Sequence, residues 1–181
     1  MLEIKKEGVL LNKTNLNFEN EGVLNPGAIR EGEFVHLFYR AVSIGNFSSI
    51  GYCKLKGPLT VEERMPEPIL SPTFEYESHG MEDPRIVKID DTYYLTYTAY
   101  DGVNALGALA VSKDLKHFEK KGLIVPQITY QEFSRLAEAK KSLNEKYLRY
   151  NEHEHVVELQ GKEVFMWDKN LIFFPSQKIA P

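Results

Sequence analysis

The sequence predicts an all-β fold of the β-propeller type. Three observations carry that prediction. Short alternating runs rich in aromatic and β-branched residues recur along the chain, turn-forming residues separate them, and one unit appears twice at a shift of 58 residues. In order, "EFVHLFYRAVS" (33–43), "SIGYCKL" (49–55), "TYYLTYTAY" (92–100), "LGALAVS" (106–112) and "EVFMW" (163–167) read as strands. The shift places Asn25-Pro26 on Asp83-Pro84, Leu37 on Leu95, Tyr39 on Tyr97 and Ala41 on Ala99, and it lays the turn "REGE" on "KIDD". "NPGAIREGEFVHLFYRA" and "DPRIVKIDDTYYLTYTA" are therefore two copies of one hairpin unit, each followed by another strand. A third copy is expected from Asp168, in "WDKNLIFFP". Repeated antiparallel units of this length suit propeller blades. One segment departs from the β rhythm: "TYQEFSRLAEAKKSLNEKYLRY" (129–150) has near-helical apolar spacing, no Pro or Gly, and Thr129 with Glu132 as a capping box. It reads as an inserted amphipathic helix.

Composition narrows the function classes. A chain of 181 residues, 43% hydrophobic and 27% charged, has the balance of a globular protein able to bury one sizeable core. Its net charge of −4, with Lys and Arg dispersed, provides no electrostatic footprint for nucleic acid and argues against anionic membranes. The single cysteine, Cys53, cannot form an internal disulfide. The N-terminal apolar run is too short for a signal-peptide core, and no run of about 18 apolar residues offers a membrane span. Cytoplasm is the expected location.

The chemistry concentrates in "GMEDPRI" (80–86). Proline after Asp83 biases that residue toward an extended conformation at the start of a strand. In a propeller the innermost strand of each blade lines the central channel, so Asn25, Asp83 and Asp168 would face one another around a polar funnel. Glu82 beside Asp83 should raise one of the two carboxyl pKa values. Arg85, two positions on, should share the strand face of Asp83. A channel of amides, carboxylates, arginines and tyrosines suits a sugar, whose hydroxyls need paired donors and acceptors and whose apolar faces need aromatic rings. The competing reading of Asp83 is a turn residue that bonds backbone N–H groups, and that of Arg40 is a strand-end salt bridge.

"NPGA" with "LFYRA", "SSIGY", "GMEDPRI", "YYLTYTAYDG", "GALAVSKDLKHFEKKGLI" and "WDKNLIFFPSQKI", in this order, together resemble glycoside hydrolase family 130. The resemblance implies a five-bladed propeller acting on terminal β-mannosides with inversion, by phosphorolysis or hydrolysis. It implies that Asp83 is the general acid, relaying its proton through the mannosyl 3-hydroxyl. Asn25, Arg40, Glu82, Arg85, Tyr100 and Asp101 would surround the mannosyl subsite. Ser49 and its neighbour Ser48 would either touch sugar or cap a loop. Lys169 matches a phosphate-binding lysine. No cofactor or metal is expected, with inorganic phosphate as co-substrate. His153 and His155 alternate with Glu152 and Glu154, a pattern that reads as a solvated turn before it reads as a metal site. Two to three blades cannot close such a ring, so residues 1–181 are expected to form one partial propeller domain truncated on its C-terminal side, partnered by a missing half or another copy of itself. The alternatives are a non-catalytic sugar-binding propeller fragment and a member of the five-bladed furanosidases.

Overall fold

The two repeats fold as two four-stranded antiparallel meanders. The computed structural model describes residues 5–140 and 163–174, with the side chains of 138–140 excepted. The first blade comprises β1 (Gly22–Glu31), β2 (Phe34–Ser43), β3 (Phe47–Lys56) and β4 (Thr60–Arg64). The second comprises β5 (Gly80–Ile89), β6 (Thr92–Tyr100), β7 (Ala105–Ser112) and β8 (Phe118–Leu123). A parallel pairing of Ser48 with Gly80 links the blades. The sheet does not close, and the architecture is that of a partial β-propeller.

The backbone repeats as the sequence does. Positive φ recurs at Asn25 and Asp83 (48° and 49°), at Gly32 and Asp90 (61° and 53°), and at Gly57 and Leu115 (62° and 64°). Each pair is related by the same shift of 58 residues. The first pair corrects the extended conformation expected of Asp83. Both residues sit in β-bulges, where the β1–β2 register slips between Leu24 and Gly27 and the β5–β6 register between Glu82 and Arg85. Asn and Asp tolerate left-handed φ better than other side chains, and a bulge re-aims the residue it carries.

Alternation along the strands builds the core. Phe38, Ile50 and Tyr52 of the first blade pack with Met81, Leu95, Tyr97, Ala99, Ala108 and Ala110 of the second. On the other face of the first blade, Leu37, Tyr39, Ala41, Cys53 and Leu55 are covered by Leu10, Leu11 and Phe18. Each blade also buries one carboxylate completely. Glu19 accepts from Tyr39 Oη at 2.8 Å and pairs with Arg64 at 2.9 Å. Glu77, 58 residues on, accepts from Tyr97 Oη at 2.7 Å and pairs with Lys120 at 2.6 Å. Burial pushes both phenols well above their ordinary range.

Residues 163–167, expected as a strand, form only isolated bridges. The Phe165 amide donates to Asn104 Oδ1 and the Met166 amide to the Ile128 carbonyl, so no continuous ladder forms. Segment 168–173 lies along the second blade. Asp168 bridges Leu106, Thr96 Oγ1 donates to the Leu171 carbonyl, and Phe173 meets Tyr94 edge to face. Asp168 bridges Leu106 as Gly80 bridges Ser48 one unit earlier, so Asp168 holds the place of Gly80 and not that of Asp83. Helix α1 spans Tyr130–Lys140. Its capping box is formed: Thr129 N donates to Glu132 Oε2 at 3.0 Å and Glu132 N to Thr129 Oγ1 at 3.3 Å. The rest of the expected helix, and residues 152–155, lie outside the described residues. Among the described residues no helix is long and apolar enough to cross a membrane.

Removing one partner of a buried ion pair strands the other. Lys120→Met should therefore cost about 3–5 kcal/mol, and Tyr97→Phe about 1–3 kcal/mol. Urea unfolding followed by circular dichroism checks both; two losses below about 0.5 kcal/mol, the range of an ordinary surface substitution, would show that the Glu77 cluster does not hold the blade.

Candidate active site

The site lies where the first strands of the two blades begin. Asn25 Nδ2 donates to Asp83 Oδ1 at 2.6 Å, joining the two bulges across 58 residues of chain. The blades approach this closely because position 27 is glycine: a Cβ there would stand 2.8 Å from the Pro84 carbonyl oxygen and 3.2 Å from the Arg85 Cα. Asp83 is half-buried, and among the described residues its Oδ2 accepts no hydrogen bond. A carboxyl oriented through one oxygen, with the other left without a hydrogen bond among the described residues, can serve as a proton donor.

Beside it, Arg40 on β2 and Glu82 on β5 form a salt bridge of 2.7 Å in which both side chains are largely buried. Arg40 Nε also donates to Ser48 Oγ at 2.8 Å, and its Nη2 reaches Asn46 Oδ1 at 3.5 Å. The salt bridge expected as a rival reading of Arg40 is thus present, and its partner is a residue of the site. Of the two adjacent carboxyls, Glu82 is the one raised. Burial is the main cause, opposed by Arg40 and reinforced by the charge of Asp83. Lys169 and His79 are near enough to act on it as well, each lowering it slightly.

Several other expected residues have partners within the protein. Arg85 does not share a face with Asp83, because the bulge breaks the alternation; its guanidinium donates to the Pro84 carbonyl at 2.8 Å and to the Asn25 carbonyl at 3.4 Å. It braces the two bulges through their backbones. The serine that touches Arg40 is Ser48; Ser49 is buried opposite Ala41 on the other face of the sheet. Asp101 closes the turn after β6, accepting from the Val103 and Asn104 amides at 2.8 and 2.6 Å and from Asn104 Nδ2 at 3.2 Å. Tyr100 Oη donates to the Gly102 carbonyl in the same turn. Lys169 lies over the Trp167 ring, 5.1 Å from its centroid. Asp168 is exposed, and its carbonyl accepts from the Gly107 amide at 2.7 Å. The sequence reading missed Asn46 and His79, whose positions become apparent only once the turn before β3 and the start of β5 are brought together.

The family model of glycoside hydrolase family 130, described as β-1,4-mannooligosaccharide phosphorylase, matches residues 6–174. A 1,2-β-oligomannan phosphorylase from Thermoanaerobacter sp. (strain X514) is 34% identical over 70% of this chain and 47% of its own. A solved putative glycosidase from Bacteroides thetaiotaomicron aligns with a TM-score of 0.59 at 28% identity, over 65% of this chain and 41% of its own. Another solved structure comes from the family of mannoside phosphorylases found to contain glycoside hydrolases that target β-1,2 mannosidic linkages in Candida mannan; it aligns with a TM-score of 0.53 at 27% identity, over 64% of this chain and 37% of its own. The chain spans less than half the length of these relatives.

A raised carboxyl pKa means that protonation of Glu82 favours the folded chain. That contribution is complete below the ordinary carboxylate value of 4.5 and is lost as pH rises through the folded-state midpoint. Carbon-detected NMR titration should give Glu82 a midpoint above 4.5, and Arg40→Ala should move it higher still, because Arg40 is the main lowering influence. A midpoint at or below 4.5 in the unsubstituted chain would contradict the burial seen here.

Proposed function

The chain belongs to glycoside hydrolase family 130, and from that premise we propose that it carries the acid side of a site that cleaves terminal β-mannosidic linkages by phosphorolysis, with inversion. The observation that supports this reading most is the Asn25–Asp83 hydrogen bond, which fixes one carboxylate oxygen across two blades. Asp83 supplies the proton to the leaving oxygen as the bond from that oxygen to the anomeric carbon breaks. A phosphate oxygen forms the new bond from the opposite face, giving mannose 1-phosphate and an inverted centre. Asn25 and Arg40 donate to sugar hydroxyls, and Glu82 with Ser48 keeps the guanidinium oriented. Lys169 contributes positive charge for the phosphate dianion. Residue-level identity to a 1,2-β-oligomannan phosphorylase favours β-1,2-linked mannosides over the β-1,4 linkage in the family-wide description.

The test is product analysis with β-1,2-mannobiose, with and without inorganic phosphate. Mannose 1-phosphate formed only when phosphate is present is the expected result, and Asp83→Asn should lower its rate by about 10²–10⁴-fold, the scale of general acid catalysis. Free mannose at an equal rate without phosphate would replace phosphorolysis by hydrolysis. Binding without any product would leave a sugar-binding module in place of an enzyme.

A further inference from the structure

An aromatic cluster lies beside this site, linked to it by His79, which is near enough to act on Glu82, and the roles above leave it unused. Phe47, first residue of β3, is 48% exposed. Its ring packs on His79 with centroids 4.7 Å apart, and His79 meets the edge of Tyr100 at 5.3 Å in a perpendicular arrangement. The turn that carries Phe47 is built to hold it. Gly45 has φ 85°, and a Cβ there would press on the Phe47 ring at 3.0 Å, so glycine supplies both the backbone conformation and the room. Ser43 Oγ donates to the Phe47 carbonyl. The residues on either side of Phe47 both bind the Arg40 guanidinium, Asn46 through Oδ1 and Ser48 through Oγ. The ring is therefore mounted on the same side chain that pairs with Glu82, one residue from Asp83.

We propose that Phe47, backed by His79, is a stacking platform for the sugar on the leaving side of the scissile bond, and so sets which β-mannosides the site accepts. The inference rests on the β-mannoside reading above. An enzyme that removes a terminal sugar encloses that sugar in its channel and leaves the remainder of the ligand toward solvent. A large apolar ring that is half exposed and packed on His79, itself near Glu82, would meet that remainder. The C–H face of a pyranose packs against such a ring, and the platform adds affinity without a hydrogen bond.

Calorimetric binding of β-1,2-mannobiose and of methyl β-mannoside separates the two sugar positions, because the methyl glycoside fills only the terminal one. Phe47→Ala should weaken mannobiose binding about five- to tenfold and leave methyl β-mannoside within about twofold, inside the scatter of additive, uncoupled effects. Phe47→Tyr, which keeps the ring, should restore mannobiose binding. Equal weakening of both ligands, or mannobiose binding unchanged in Phe47→Ala, would overturn the platform while leaving the β-mannoside reading intact. Failure of the unsubstituted chain to bind either ligand would overturn that reading and the platform with it.

Discussion

A carboxylate taken wholly out of water inside each blade is the constraint on which the rest of this structure depends. Glu19 and Glu77 have no exposure, and an isolated buried carboxylate would be too costly to keep. Each is therefore tied to a tyrosine from the second strand of its blade and a cation from the fourth, Arg64 in one and Lys120 in the other. Because these partners come from the second and fourth strands of a four-stranded meander, satisfying one carboxylate ties the second, third and fourth strands of the blade together. The backbone amides of Thr73 and Phe74 also donate to Glu77, which seats the connection into β5. The start of β5, where Glu82 and Asp83 lie, is thus set by a polar cluster that takes no part in the chemistry.

The bulges convert that fixed frame into a site. A regular strand would aim residues 83 and 85 the same way; the left-handed residue at 83 separates them. Asp83 then meets Asn25, while Arg85 turns to the carbonyls of Pro84 and Asn25. The arginine that reaches the carboxylate pair comes instead from the first blade, as Arg40, and it meets Glu82. Electrostatics follow from packing: burial raises Glu82, and the guanidinium holds part of that rise in check.

Much of this was legible in the sequence because a repeat is a long-range signal that a single chain can display. The hairpin units and the Asn25–Asp83 correspondence follow from residue type at a fixed shift, the capping box at Thr129 from local spacing, the choice of Glu82 from its place beside Asp83, and that of Arg40 from the family resemblance. The bulge was hidden because Asp-Pro is equally compatible with an extended residue, and only the slipped β5–β6 register distinguishes the two. The third unit was placed on Asp168 because aspartate matched Asp83 by residue type, whereas the bridge to Leu106 gives Asp168 the place of Gly80. Asp101, placed at the mannosyl subsite by the family resemblance, closes a turn on the amides two and three residues later, as a short acceptor side chain can. The strands β4 and β8 escaped notice because their charged sequences, "TVEER" and "FEKKGL", belong to blade edges where little is buried.

The same shift that reveals the scaffold also separates it from the chemistry. Positions that keep their residue type between the copies are structural: Glu19 and Glu77, Tyr39 and Tyr97, Ala41 and Ala99, Gly22 and Gly80. Core positions also change, as Phe38 to Thr96 and Ile50 to Ala108, and so do those gathered at the site. Leu24 corresponds to Glu82, Arg40 to Thr98, Ser48 to Leu106 and Gly27 to Arg85. Arg40, Ser48 and Glu82, which bond to one another, are each present in one copy only. Thr98 occupies in the second blade the position that Arg40 holds in the first, and its hydroxyl is buried without a partner among the described residues. Two blades of one design could by themselves offer only two copies of one surface. Substitution at four equivalent positions, over a shared Glu–Tyr frame, gives the junction between them a carboxylate on one side and a guanidinium on the other, and that asymmetry is what the proposed sugar site would draw on.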